Sequence, residues 1–439
     1  MSGAPRALGF WSACALVVGN MIGSGIFLLP ATLAPYGMAS LLGWGLSAVG
    51  AILLAIVFAR LGQSHPATGG PYAYARVAFG DVAGFFMAWS YWISVWCAVA
   101  AIAVAFAGSV ASLFPALLST PARSSACALV VLWLCTVSNL AGVRAAGIAQ
   151  LVTTILKILP IVLIIAFGVG SIETRAFTPF NPSGGHLFDV TTTTAALALW
   201  ALLGMECATI PAEHVEDPKR TIPRATIWGT GFATLITVGA TTVVMALLPL
   251  GELKDSTAPF ADAARKLWGN GAAAAMAAGM AVSCLGALNG WILVQGQIPL
   301  AAARDGLFPR WFARTDASGT PRAGLVIGST LATVLVAANF TGSLVSIFTA
   351  SILLATAACL LPYVFSAAAL LRLEMREPDA AVWRLIVAGL ALVYGLWALV
   401  GTGSEALIWG AGLLLAGVPV YLFQRGKIAR RPADGLAAS

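Results

Sequence analysis

Charge is scarce in this chain: Asp, Glu, Lys and Arg make up 9% of its 439 residues, against roughly 25% in soluble domains. That composition excludes a water-soluble fold, because too little polar surface is available to cover a core made from the rest. Histidine is rarer still, and His65, His186 and His214 all fall in segments that read as loops. The seven cysteines, Cys14, Cys97, Cys127, Cys135, Cys207, Cys284 and Cys359, lie within apolar stretches and show no paired spacing. No metal cluster or redox motif can be assembled from these residues, so no cofactor is expected and the cysteines read as small packing residues. No apolar stretch holds a serine, histidine and acid set, which excludes an intramembrane enzyme. The first apolar stretch follows a short tail with one positive residue, Arg6, and runs well beyond a signal-peptide core, so it is expected to stay in the mature chain.

What the sequence has is hydrophobicity, 59% of all residues, arranged in runs of about 20 residues, the length that crosses a bilayer. These divide into twelve expected spans, near 11–33, 41–60, 84–114, 125–143, 146–169, 189–212, 225–248, 271–303, 323–342, 344–371, 383–402 and 404–423. The fold class is therefore all-α integral membrane, with one transmembrane domain over 11–423 between short tails at 1–10 and 424–439. Most of the 24 Lys and Arg residues fall in alternate loops and at the tails, among them Arg60, Arg144, Arg220, Arg310, Arg372 and Arg430. Positive residues are retained on the cytoplasmic side, so both termini are expected there, in the cytoplasmic (inner) membrane of a cell. The net charge of +7 then faces a lipid leaflet, and nucleic acid is not an expected partner.

Two spans carry the mark of a break at mid-depth. Three glycines fall within Gly19-Asn20-Met21-Ile22-Gly23-Ser24-Gly25 in the first, and Trp200-Ala201-Leu202-Leu203-Gly204-Met205-Glu206 interrupts the sixth at about the same depth. Irregular backbone is tolerated in a membrane only where protein or a cavity covers it, so paired breaks point to a binding site. A half-helix N-terminus suits a carboxylate and freed carbonyls suit an ammonium, which together match an α-amino acid. Gly19 and Gly23, four apart, also fit a plain helix-packing face. Two ionisable residues lie deep within spans, Lys157 in the fifth and Glu206 in the sixth. Each reads either as a proton-carrying group or as a structural one, an ion pair between the two or a hydrogen-bonded carboxyl. Trp200 and Trp291 fall near mid-depth, where an interfacial belt residue would not be, and a ring there can lie against a substrate or attract a cation.

These residues also carry a resemblance. Gly19 to Pro30 (GNMIGSGIFLLP), Pro66 to Gly80 (PATGGPYAYARVAFG), Glu213 to Thr226 (EHVEDPKRTIPRAT) and Ala301 to Leu325 (AAARDGLFPRWFARTDASGTPRAGL) resemble the amino acid-polyamine-organocation superfamily. Within it the chain looks like the basic amino acid/polyamine antiporters, especially the arginine/agmatine type, over nearly its whole length. The resemblance implies two inverted five-helix repeats (LeuT-like), near 11–170 and 189–371, plus two C-terminal helices near 383–423, with helices one and six broken at mid-membrane. It implies alternating access, with the substrate carboxylate at Ile22, Gly23, Ser24 and Gly25 beside Asn20, and the amine at carbonyls near Trp200, Ala201 and Leu203. Trp200 packs on the substrate in this scheme. Trp291 forms an intracellular-side gate with Tyr91 and Glu206, Tyr363 joins the gating set, and Glu206 is the proton-sensitive residue. The segment Ser94 to Val99, including Val95, lines the pocket for the far end of the substrate, with Ile102 one turn further. A homodimer is common among such relatives.

The departures have physical meaning. Val99 stands where the arginine/agmatine type presents an asparagine, and Ala355 and Cys359 stand where it has hydroxyls. A buried guanidinium or amine left without partners is costly, so these positions favour a smaller or neutral amino acid. Lys157 points the same way, because some proton-coupled, neutral amino acid relatives carry a lysine there that resembles a stand-in for sodium. The expected function is thus a secondary active amino acid or amine transporter, an antiporter of the arginine/agmatine type or a proton-linked one, with a proton-coupled permease or exchanger for neutral amino acids as the alternative. An ion channel needs a continuous polar pore, whereas the polar positions here gather at one depth. A non-transporting sensor would need a signalling domain that the short loops and tails leave no room for.

Overall fold

The computed structural model describes residues 9–23, 25–65, 69–140, 158–172, 178–210, 215–316, 319–338, 343–378 and 381–428, and within them every regular element is a helix. Apolar runs of this kind find no water for their peptide groups, and a helix is the structure that closes those hydrogen bonds within one segment. The first expected span holds α1 (Phe10–Met21) and α2 (Gly25–Leu33), and a 3-10 turn leads from it into α3 (Ser40–Ser64). A short α4 (Pro71–Phe79) precedes α5 (Asp81–Leu113), α6 (Pro121–Leu140) and α7 (Ile158–Ser171). Next come α8 (Leu187–Trp200), α9 (Pro218–Leu247), two short helices α10 (Leu250–Asp255) and α11 (Pro259–Trp268), and α12 (Asn270–Arg304). The chain continues with α13 (Arg322–Ala338), α14 (Leu344–Glu374), α15 (Val382–Gly401), α16 (Gly403–Leu415) and α17 (Gly417–Ile428).

Among the described residues, eight helical stretches are long and apolar enough to cross a membrane, and α7 and α13 are shorter apolar helices. The expected spans at 125–143, 146–169, 189–212 and 323–342 run partly outside the described residues. The last expected span, 404–423, falls within one apolar helical stretch, Gly403–Gln424, with a turn at Ala416 between α16 and α17. One expectation needs correction: the connections hold α4, α10 and α11, which are too short and too mixed in composition to stand out from loops.

Packing sorts the helices into two groups. In one, α9 lies along α1 and α3, and α3 along α8. The Ser47 hydroxyl donates to the Ala195 carbonyl at 2.7 Å, and a side chain at Gly43 would meet the Thr194 hydroxyl at 2.2 Å, so α3 and α8 touch through small residues. In the other, α5, α6, α12 and α13 pack together and are tied by buried polar bonds. Asn139 Nδ2 donates to Asn289 Oδ1 at 2.7 Å, Trp92 Nε1 to the Gln295 carbonyl at 3.0 Å, and Gln295 Nε2 to the Leu325 carbonyl at 3.0 Å. The long α14 lies against α5 and α15, with Ser90 donating to the Ala358 carbonyl at 2.7 Å.

At one end of the bundle an ionic cluster joins α4 to the end of α12. Arg76 reaches Asp81 at 2.7 Å and Asp305 at 3.2 Å, and the Tyr72 hydroxyl donates to Asp305 at 3.2 Å. Burial first, and then the Asp305 charge, pushes the Tyr72 phenol up from its ordinary range, which keeps it a donor.

These two kinds of contact differ in expected weight. A Cβ at Gly50 would fall 2.2 Å from the Tyr394 ring of α15, so Gly50→Leu should destabilise the protein by about 1–3 kcal/mol through overpacking. Asp305→Asn removes a partly exposed pair and should cost about 1 kcal/mol or less. Thermal unfolding of the purified variants in one detergent measures both, and Tyr394→Ala should restore much of the loss in Gly50→Leu alone.

Candidate functional site

Both expected breaks are present in the backbone. α1 stops at Met21, where the Ile22 N–H still donates to the Val18 carbonyl at 2.8 Å, and α2 begins at Gly25. The first turn of α2 therefore leaves N–H groups without helical partners, with the positive end of its dipole facing the break. α8 stops at Trp200, and its last turn tightens: Ala201, Leu202 and Leu203 donate to the carbonyls three residues back, at 3.1, 2.9 and 3.3 Å. Gly204 then takes a left-handed conformation, φ 105°, before a 3-10 turn at Met205–Thr209. A side chain is strained at that φ, and it would also press on the other break, since a Cβ at Gly204 would lie 3.2 Å from the Asn20 carbonyl carbon and 3.3 Å from the Met21 nitrogen. The two interruptions thus lie directly against one another.

Between them and the second helix group is a narrow cavity of about 30 Å³. Its walls are Asn20, Met21, Gly23 and Gly25 from the first break, Trp200 and Leu203 from the second, Tyr91, Ser94, Ala98 and Ile102 from α5, Trp291 from α12 and Cys359 from α14. Small-molecule sites enclose about 300–1,000 Å³, so this space must widen before it holds a molecule of that size. Trp200 and Trp291 are each 8% exposed. The Trp200 indole N–H lies toward Gly25, where a Cβ would come within 2.7 Å of it, and it has no acceptor among the described residues.

Below Trp200 a buried carboxyl joins the two groups of helices. Glu206 accepts from the Tyr91 hydroxyl of α5 at 2.6 Å, from the Tyr363 hydroxyl of α14 and from the Gly204 N–H at 3.2 Å. Among the described residues all three of its donors are neutral, while Lys157, the other partner the sequence offers, lies outside them. Among the described residues, no group of three His, Cys, Asp or Glu could hold a metal ion.

The expected site residues thus separate into three sets. Asn20, Gly23, Gly25, Tyr91, Ser94, Ile102, Trp200, Leu203, Trp291 and Cys359 meet at the cavity, with Glu206 and Tyr363 bonded just behind Tyr91. Ile22, Val95, Val99, Ala201 and Ala355 are buried but do not line it. Ser24 and Lys157 lie outside the described residues. The cavity adds Met21. Of the expected segment Ser94 to Val99 it takes Ser94 and Ala98, which share one helix face with Ile102 because positions four apart do so.

Gly25→Ala places a methyl carbon against the Trp200 ring, whereas a Cβ at Gly23 meets only ordinary contacts, 3.5 Å from the Asn20 carbonyl oxygen and 3.6 Å from Ala287. Binding of a radiolabelled substrate should fall about tenfold or more in Gly25→Ala, a loss of ~1.4 kcal/mol, and by less in Gly23→Ala.

Residues 8–416 match the family model for amino acid permeases. The putrescine transporter PotE of Haemophilus influenzae is 31% identical over 427 residues, covering 96% of this chain and 98% of that one. PotE of Escherichia coli K12 is 32% identical over 92% of this chain and 93% of its own length. The cadaverine/lysine antiporter of Escherichia coli K12 is 31% identical over 98% of this chain and 97% of its own. With its apolar helices, this is a multi-pass membrane protein. From the paired breaks, the cavity they enclose and a match spanning nearly the whole sequence, the chain belongs to the amino acid permease family, within the amino acid-polyamine-organocation superfamily.

Proposed function

We propose that this protein exchanges a basic amino acid for a diamine or related polyamine across the membrane, through the cavity between the two helix breaks. The relatives support the substrate class, as one is a putrescine transporter and another a cadaverine/lysine antiporter. The observation that carries the reading is the wall of that cavity, where Trp200, Trp291 and Tyr91 surround a space between the start of α2 and the end of α8. Aromatic faces attract an ammonium group and cover the methylenes next to it, and carbonyls at the end of α8 accept from an ammonium. The N–H groups of α2 serve the carboxylate of an amino acid. A diamine lacks that carboxylate, so the ammonium and aromatic contacts are the ones the two exchanged substrates hold in common.

Alternating access follows from the division of the helices. The broken helices α1, α2 and α8 move with α3 and α9 against the group of α5, α6, α12 and α13, and the cavity lies at the junction. The Tyr91–Glu206–Tyr363 cluster bridges the groups and acts as the gate, releasing when Glu206 gains or loses a proton. The full architecture is twelve spans in two inverted repeats near 11–170 and 189–371, with the helices near 383–423 outside them and both termini cytoplasmic in the inner membrane. Lys157 is proposed as a second titrating group, and the assembly as a homodimer. The neutral-substrate alternative rested partly on Val99 and Ala355, and both lie behind the cavity wall rather than in it. The named relatives do not favour it either, and their substrates do not single out arginine and agmatine.

Proteoliposomes loaded with putrescine, cadaverine or agmatine should release them when lysine, ornithine or arginine is supplied outside, and hold them when it is absent. Trp200→Leu should weaken exchange about tenfold or more through lost aromatic contact. Glu206→Gln should flatten the pH dependence of exchange. If alanine or leucine drives exchange while every diamine fails, the reading is wrong.

A further inference from the structure

A second cavity, larger than the central one, opens on the outer surface of the helices. It lies between α5, α13, α14 and α16 and holds about 470 Å³, within the range of roughly 300–1,000 Å³ of small-molecule sites. Leu331 and Leu335 of α13, Leu353 and Leu354 of α14 and Trp409 of α16 make most of its wall. Val334 at its edge is 60% exposed and Trp409 is 64% exposed, so the mouth opens where hydrocarbon is the solvent.

Two polar groups interrupt this apolar lining. Trp96 of α5 is 5% exposed, and its shielded indole N–H has no acceptor among the described residues. Glu405, in the first turn of α16, places an exposed carboxylate on the rim. The third polar residue, Thr402, already donates its hydroxyl to the Leu399 carbonyl at 2.7 Å. α15 ends at Gly401 and α16 begins at Gly403, so Glu405 stands where two membrane helices meet, at head-group level. A carboxylate at the membrane surface calls for a cation. A ligand that answers it and fills the rest of the crevice has an ammonium head and a long apolar chain.

We propose that this crevice is a binding site for one aminophospholipid of the phosphatidylethanolamine class. Its ammonium pairs with Glu405, and an acyl chain lies along Leu331, Leu353 and Leu354 toward the Trp96 ring. An anionic lipid would bring its charge against the carboxylate. The site backs onto the transport cavity: Trp96 lies between Ser94 and Ala98 on α5, and α14 supplies both Leu354 and Cys359. A bound lipid therefore braces the wall that the transported substrate touches from the other side.

Native mass spectrometry of the full chain in mild detergent tests this, with phosphatidylethanolamine and phosphatidylglycerol of the same acyl chains supplied in equal amounts. The wild-type protein should retain one phosphatidylethanolamine, preferred about fivefold, the effect of one charge at a membrane surface. Glu405→Gln should bring the two lipids level. Ala350→Trp, which fills the crevice from an exposed position on α14, should retain neither while still running as a single species on gel filtration. Equal retention by the wild-type protein, a preference for phosphatidylglycerol or an unchanged preference in Glu405→Gln each overturns the proposal. So does a lipid-free dimer that Trp409→Arg dissociates, which would assign the crevice to a second copy of the chain.

Discussion

A peptide group released from a helix in the middle of a bilayer has no water to turn to, and leaving it bare costs several kcal/mol. Each of the two breaks in this protein must therefore be covered by protein, and each is covered largely by the other. Gly204 makes that possible, because its left-handed backbone brings the end of α8 onto Asn20 and Met21 with no side chain between them. The remaining sides are closed by the aromatic and small residues of α5, α12 and α14. The position of Trp200 against Gly25, the narrow cavity and the placement of Glu206 all follow from that single face-to-face contact.

Glu206 carries the next level of organisation. A carboxyl excluded from water needs donors, and it receives them from α5, from α14 and from the backbone of its own break. The same three bonds that satisfy it also fasten the broken helix to its surroundings. In the exchange proposed above, a group with that double duty couples its protonation to the relative position of the helices, because adding a proton replaces an acceptor with a donor. Neutral partners suit this role, since a lysine or arginine in their place would hold the charge fixed.

Much of this was legible in the sequence, for reasons that can be named. Glycines spaced through Gly19 to Gly25, and a glycine and a glutamate inside an otherwise apolar run, are costly in a membrane helix, and both costs mark the breaks. The rotational setting of α5 was not legible. Almost every residue from Ser94 to Ile102 is apolar and buried, so no polar side marks the cavity face, and the whole segment Ser94 to Val99 reads as pocket. The helical period of 3.6 residues instead turns Ser94, Ala98 and Ile102 inward and carries Val95 and Val99 behind them. The functional weight placed on Val99 and Ala355 failed to anticipate this, since an aligned position is not the same as a lining one. The short helices α4, α10 and α11 escaped notice because a helix of one to three turns leaves too few repeats of any pattern.

The small volume of the central cavity bears on how strongly the protein grips what it carries. A chamber with room for little more than water must expand before any amine can enter, so only the fraction of molecules already ajar can capture one. The measured dissociation constant is the intrinsic one divided by that fraction, and a firmly shut resting form looks like a weak binder even when its contacts are good. Tightness of closure and apparent affinity are thus set against each other in this fold. A carrier that leaks little when idle would, by the same bonds, need more cargo outside before it turns.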